Sequence, residues 1–195
     1  MPRGLSGAAG PGGSGTTGGR YETPQASELQ RLMWTKNGTS GHLDRVLPRI
    51  YVGDMYAAKD KRTLHAHRIT HVLNAADGKF NVNTGARFYR DTKITYHGVE
   101  AFDVPSFNMS RFFAPAADFI KNALSSPTAK VLVHCVMGQS RSSTLVLAYL
   151  MIHENRTLAD AIRAVSAGRN ISPNAGFLEQ LRQLDKELNS RRAGI

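Results

Sequence analysis

Cysteine is almost missing from this chain of 195 residues, which has one, Cys135, and a single tryptophan. One thiol excludes an intramolecular disulfide framework and fits a reducing compartment, so cytosol, nucleus or both is the expected location. No apolar run reaches membrane-spanning length, and the N-terminus has no apolar core of a signal peptide, so no membrane is expected. Pro2 rules out N-myristoylation at that position. The Asn-x-Ser/Thr triplets at Asn37, Asn108 and Asn155 then read as chance. Histidines number 7, and none pairs with cysteine or carboxylates at ligand spacing. His65 and His67 are two apart on a predicted helix, which does not put them on one face, so no metal and no cofactor is expected. Acidic residues are few beside basic ones, 15 against 25, for a formal charge of +10. The basic residues are scattered, in runs no longer than Arg191-Arg192, and no aromatic-rich RNA-binding signature accompanies them. They read as a solvated surface that steers anionic ligands, with no nucleic acid expected.

Residues 1–20 are rich in Gly, Ser, Thr and Ala and are expected to be a disordered tail, because they cannot bury enough surface to offset ordering entropy. Residues 21–41 hold a short amphipathic helix, Ala26 to Trp34, opened by Thr23-Pro24-Gln25 and followed by the linker Asn37-Gly38-Thr39-Ser40-Gly41. Its Leu29, Leu32 and Met33 are expected to pack on the main domain, residues 42–190. There strands and helices alternate: strands at Arg49–Val52, Thr70–Ala75, Ile94–Val99 and Lys130–Val133, and helices at Ala57–His67 and Ser110–Leu124, the latter with Ser110 as N-cap. Thr157-Leu158-Ala159-Asp160 resembles a capping box, Gly168 ends that helix, and Pro173-Asn174 begins the last one. No internal repeat is present. Alternation of this kind predicts an α/β fold, a three-layer-like sandwich with a central, mainly parallel sheet flanked by helices.

The informative stretch is His134-Cys135-Val136-Met137-Gly138-Gln139-Ser140-Arg141-Ser142. A buried strand delivers Cys135, and a buried helix, Arg141 to Ile152, starts where the loop closes. Strand, tight loop and helix N-terminus make an anion site of backbone N–H groups with the positive end of a helix dipole at its mouth. Arg141 brings a planar fork suited to a phosphate. The thiolate is the reactive form of cysteine, and such surroundings favour it. Phosphate cradle and nucleophile thus occupy one loop.

Cys-(five residues)-Arg, preceded by His and followed by Ser, resembles the signature loop of the cysteine-dependent protein phosphatases. The continuation Gly138-x-Ser140-Arg141-Ser142-x-Thr144 is similar to their dual-specificity branch, and to its small atypical members of the muscle and testis type. The resemblance spans Leu43 to Leu188, with Tyr51-Val52-Gly53-Asp54, Ile69-Thr70-His71-Val72-Leu73-Asn74-Ala75 and Pro173-Asn174-Ala175-Gly176-Phe177-Leu178 as further matches. It implies hydrolysis of phosphotyrosine and phosphoserine/phosphothreonine through a cysteinyl-phosphate. The implied partners are phosphorylated proteins, MAP kinases among the candidates. Alternatives are a phosphate-binding pseudoenzyme or scaffold, or a phosphatase of a non-protein substrate. The loop carries no lysine of the kind phosphoinositide phosphatases use, however, and nucleophile, arginine, acid and serine are all present.

Carried over by resemblance, Cys135 is the nucleophile, Arg141 binds the phosphoryl oxygens, and Ser142 stabilises the departing thiolate. The loop residues Val136, Met137, Gly138, Gln139 and Ser140 line the substrate. The general acid sits on a movable loop before the cysteine, where Asp103 matches and Glu100 competes. His134 tunes the thiolate and orients the loop, while Asn74 and Asn174 brace it. Arg169 helps to form a second phosphate pocket. Local readings stay open beside these: a backbone bond for Ser142, a helix cap for Asn174, and a dipole partner at a helix C-terminus for Arg169.

Overall fold

The computed structural model describes residues 19–33 and 40–194. The expected tail up to residue 18, Trp34 and most of the expected linker lie outside these residues. Five strands form one sheet: β1 (Leu43–Leu47), β2 (Ile50–Gly53), β3 (His71–Asn74), β4 (Thr95–Gly98) and β5 (Val131–His134). Their spatial order is β1-β2-β5-β3-β4, parallel except for β1, which pairs antiparallel with β2. The helices are α1 (Ala26–Leu32), α2 (Met55–Lys59), α3 (Lys61–Ala66), α4 (Gly85–Phe88), α5 (Phe113–Leu124), α6 (Arg141–His153), α7 (Leu158–Ser166) and α8 (Ala175–Arg192).

Strand side chains alternate between the two faces. Ile50, Val52, Leu73, Val131 and Val133 enter the larger core with α1 and α5 to α8, whereas Tyr51, Val72 and Leu132 enter a smaller one with Leu64, Ile69 and Tyr89. The expected sandwich follows from that alternation. At its centre lies α6, buried from Arg141 to Met151. Leu29 and Met33 of the N-terminal segment are buried, and Arg182 Nε donates to Pro24 O at 2.9 Å, fixing the segment to α8. Because β2, β3, β4 and β5 run parallel, the loops after their C-terminal ends converge on one edge of the sheet.

Several local expectations are corrected. The single helix at Ala57–His67 is two, because the Asp60 carboxylate takes Thr63 N–H and Oγ and caps a new helix. Ser110 is not the N-cap of α5: it opens a 3₁₀ turn, and its hydroxyl donates to Asn108 Oδ1. Thr157 Oγ1 does accept from Asp160 N–H, but the Asp160 carboxylate turns to Arg163 and leaves the box half made. Strand β1 and helix α4 were not foreseen. Asn174 caps α8 as expected, accepting from Phe177 N–H at 2.9 Å.

The end of α3 carries an unusual residue. Arg68 N–H bonds His65 O and Ile69 N–H bonds Leu64 O, and Ile69 packs in one core with Leu64. This is a Schellman cap, whose left-handed position normally holds glycine. Here Arg68 occupies it at φ 57°. A side chain there costs roughly 1 kcal/mol. Arg68→Gly is therefore expected to raise Tm by about 2–4 °C, the usual equivalent of that energy at this chain length. An unchanged or lower Tm in thermal denaturation would remove the strain from the account.

Candidate active site

Cys135 directly follows β5 with its side chain buried, 2% exposed, at the floor of a cleft of about 280 Å³. Asp103, Met137, Gln139, Arg141, Ser172 and Asn174 line the same cleft. Gly138 N–H donates to Cys135 Sγ at 3.2 Å, and Ser142 Oγ lies 3.3 Å from the sulfur. A backbone N–H and a hydroxyl thus converge on the sulfur.

What shapes the cradle is where the loop's carbonyls go. Cys135 O meets His134 Nδ1, Val136 O accepts from Met55 N–H, and Met137 O and Gly138 O accept from Arg169 Nη2 and Nε. Gln139 O accepts from Ser172 N–H and Ser140 O from Thr144 N–H. Every carbonyl from 135 to 140 is tied to a donor of the scaffold. The N–H groups of Val136, Met137, Gln139, Ser140 and Arg141 bond to nothing among the described residues. An oxyanion over Cys135 would supply their acceptor. Gly138 makes the turn possible at φ 68°, and a Cβ there would lie 2.5 Å from Gly53 O.

Arg141 is 6% exposed. Its Nη1 donates to Asn81 Oδ1 at 3.1 Å and to Ala101 O at 3.0 Å, while Nε is buried without a partner. One edge of the guanidinium is therefore anchored, and Nε remains for a ligand oxygen. An unpaired buried charged donor is costly, which marks the place of an anion. Asn81 carried no sequence signal, nor did Ser172, whose part is played by its main chain.

Asp103 is exposed at the cleft, and Asn174 Nδ2 donates to its Oδ1 at 2.9 Å. Asn174 therefore caps α8 through its oxygen and holds Asp103 through its nitrogen, while its own N–H bonds Ser140 Oγ at 3.0 Å. Cap and brace are the same residue. Gly176 admits the loop of Asp103, for a Cβ there would collide with Pro105 O. Glu100 packs on Gly78 instead, and is not among the residues lining the cleft.

One placement differs from expectation, and another residue carries an added role. Asn74 pairs with His134 in the sheet, but its side chain makes no hydrogen bond to the cysteine loop among the described residues: Nδ2 donates to Val82 O and Tyr96 OH, so it braces the neighbouring loop that carries Asn81. Arg169 lies behind the cradle and lines a separate cleft of about 500 Å³ with Ser40, His42, Asp54, Met137 and Gln139, beside the catalytic one. It is 2% exposed, bonds Met137 O and Gly138 O on one side, and bonds Gly41 O and the Asp44 carboxylate at 2.8 Å on the other. With four of its five N–H donors engaged, it is a clamp on the loop's back.

His134 is fully buried, and desolvation pushes its pKa down to about 4. Nδ1 carries the proton, since its partner is a carbonyl, and Nε2 has no partner. The unfolded chain takes up a proton near pH 6.5 and the folded one only near 4. Stability is therefore lost as pH falls between those values, by roughly 3 kcal/mol. Urea midpoints measured from pH 7 to 4.5 should fall accordingly, and His134→Gln should flatten that slope.

A family model described as the dual specificity phosphatase catalytic domain matches residues 50–187. The chain belongs to this family. Dual specificity protein phosphatase 13B of Homo sapiens is 54% identical over 169 residues, covering 86% of this chain and 85% of the relative. Among solved structures, a mouse putative dual specificity phosphatase complexed with zinc tungstate is similar at TM-score 0.67 and 26% identity, covering 81% of this chain and 95% of that one. Human DUSP28 is similar at TM-score 0.66 and 25% identity, covering 78% and 99%. The chain is thus a dual-specificity protein phosphatase of the atypical group, acting on phosphorylated proteins. The dual-specificity fold accounts for the cleft at the sheet's C-terminal edge, and Cys135 is consistent with its catalytic cysteine.

Proposed function

We propose that Cys135, Arg141, Asp103 and Ser142 carry out the hydrolysis in two steps. The Cys135 thiolate attacks phosphorus; the S–P bond forms, the P–O ester bond breaks, and the leaving oxygen takes the proton of Asp103. Water then attacks the cysteinyl-phosphate and gives its proton to Asp103, and the S–P bond breaks to return the thiolate and free phosphate. Arg141 and the loop N–H groups hold the phosphoryl oxygens through both transfers. Ser142 Oγ and Gly138 N–H receive the charge as the sulfur leaves. The observation that carries this reading is the set of loop carbonyls tied outward above Cys135, with Arg141 Nε left unpaired beside it. The similar mouse putative dual specificity phosphatase is complexed with zinc tungstate, and tungstate, like phosphate, is a tetrahedral oxyanion.

Substrate breadth follows from the mouth of the cleft. It is small and bordered by Met137, which is 65% exposed, so both short phosphoserine/phosphothreonine and longer phosphotyrosine side chains have access to the sulfur. Doubly phosphorylated Thr-x-Tyr segments of MAP kinases are the first substrates to try. Cytosol or nucleus suits a protein whose central group is one reduced thiol. The decisive experiment is rapid acid quench with a labelled phosphopeptide. Label should appear on the peptide containing Cys135 within the first turnover and vanish with Cys135→Ser. Label elsewhere, or turnover without any labelled protein, would overturn the assignment.

A further inference from the structure

The opposite end of the sheet holds a second cleft, of about 1170 Å³, that the phosphatase chemistry leaves unused. It opens where the chain enters β3 and β4, and its rim carries Lys61, Arg62, Arg68, Arg90 and Lys93 against one carboxylate, Asp91. Lys61 pairs with Asp91 at 2.6 Å. Among the described residues the other four cations make no ion pair within 4 Å, and all four are exposed. Half-buried Ile94, with Ile69 largely buried beneath it, gives the cleft an apolar floor. The surface is thus a basic trough with a hydrophobic lining.

Arg68 is the second observation. Its backbone sits in the left-handed cap position at φ 57°, where glycine would be at ease. The chain therefore keeps a guanidinium at this rim against local backbone preference, as happens where a side chain serves binding rather than folding.

We propose that this cleft docks an acidic segment of the protein substrate, carboxylates meeting the four free cations and an apolar side chain resting on Ile69 and Ile94. The proposal rests on the protein-phosphatase reading and adds where the substrate is gripped. No Phe, Tyr or Trp lines the cleft to stack on bases, which disfavours single-stranded nucleic acid. Four-residue strands separate docking cleft from catalytic cleft by roughly 13 Å, so one phosphoprotein substrate can reach both. Engaging both raises the effective concentration of the phosphorylated residue at Cys135.

The test uses the full chain and a fluorescein-labelled Glu-rich peptide carrying two leucines, followed by anisotropy at low ionic strength. Saturable binding that weakens with salt is expected. Arg68→Gly should weaken it about fivefold, the upper scale of one exposed charge, and Arg68→Gly/Arg90→Ala about twenty-five-fold. Both variants should keep wild-type aryl phosphate hydrolysis, and Arg68→Gly should be no less stable than wild type. Loss of binding in a protein that melts no earlier cannot be blamed on misfolding. No binding by wild type, equal binding by the double variant, or tighter binding of an oligothymidine of matched charge would overturn the proposal. Aryl phosphate hydrolysis reports the phosphatase reading separately: a wild type that hydrolyses it yet ignores the peptide defeats docking alone.

Discussion

Cys135→Ser is expected to lower kcat below a thousandth of wild type while leaving Tm and binding of inorganic phosphate almost unchanged. The argument is one of nucleophilicity. A serine hydroxyl is a weak nucleophile at its free pKa, and no side chain within bonding distance of Cys135 acts as its base: the neighbours of the sulfur are Gly138 N–H and Ser142 Oγ. Neither group is a base that could generate an alkoxide. Binding survives because none of the outward ties of the loop passes through the sulfur; they run from Met55, Arg169, Ser172 and Thr144. Stopped-flow turnover, melting and phosphate titration on the same preparation check all three parts. Residual activity above a percent would defeat the nucleophile assignment.

Asp103→Asn should cost roughly 10²–10⁴-fold in kcat for substrates with poor leaving groups, the usual scale of a general acid. The substitution is conservative here, because the amide oxygen can still accept from Asn174 Nδ2 and keep the loop in place. Substrates whose leaving group is already strongly acidic need no proton and should lose far less. Plotting log kcat against leaving-group pKa should therefore give a steeper line for the variant. Parallel lines would move attention to Glu100. Since Glu100 packs on Gly78 away from the cleft, Glu100→Gln should leave kcat within about twofold of wild type, the ordinary outcome for a surface carboxylate.

Parts of the molecule differ in how plainly the sequence encodes them. The strand that delivers Cys135 and the helix that follows were legible because both are almost wholly apolar, Val131 to Val133 and Leu145 to Ile152, with polar residues concentrated in the loop between. Asn174 and Asp103 were legible through resemblance, yet their mutual hydrogen bond spans 71 positions and has no local trace. Strand β1 escaped notice because its register shifts between Arg45 and Leu47, which breaks the alternation a strand would show. The split of the helix at Asp60 is a contest between apolar periodicity and one carboxylate close enough to cap. The braces of the cradle were invisible for a simpler reason. Half of the ties come from main-chain N–H groups, of Met55, Ser172 and Thr144, and every residue type but proline carries one.

The position of Arg169 bears on how the enzyme comes to life during synthesis. Its guanidinium joins Asp44, 125 positions upstream, to the carbonyls of Met137 and Gly138. A growing chain that has emerged only as far as α6 possesses the nucleophile and Arg141 but not this clamp, nor Ser172 behind Gln139. Its loop carbonyls are then free to turn inward and fill the place meant for an anion. Contacts of such long range carry a heavy loop-closure cost and consolidate late. Phosphatase competence should therefore arrive only once the segment carrying Arg169 and Ser172 has emerged, sparing the ribosome's surroundings a partly folded hydrolase.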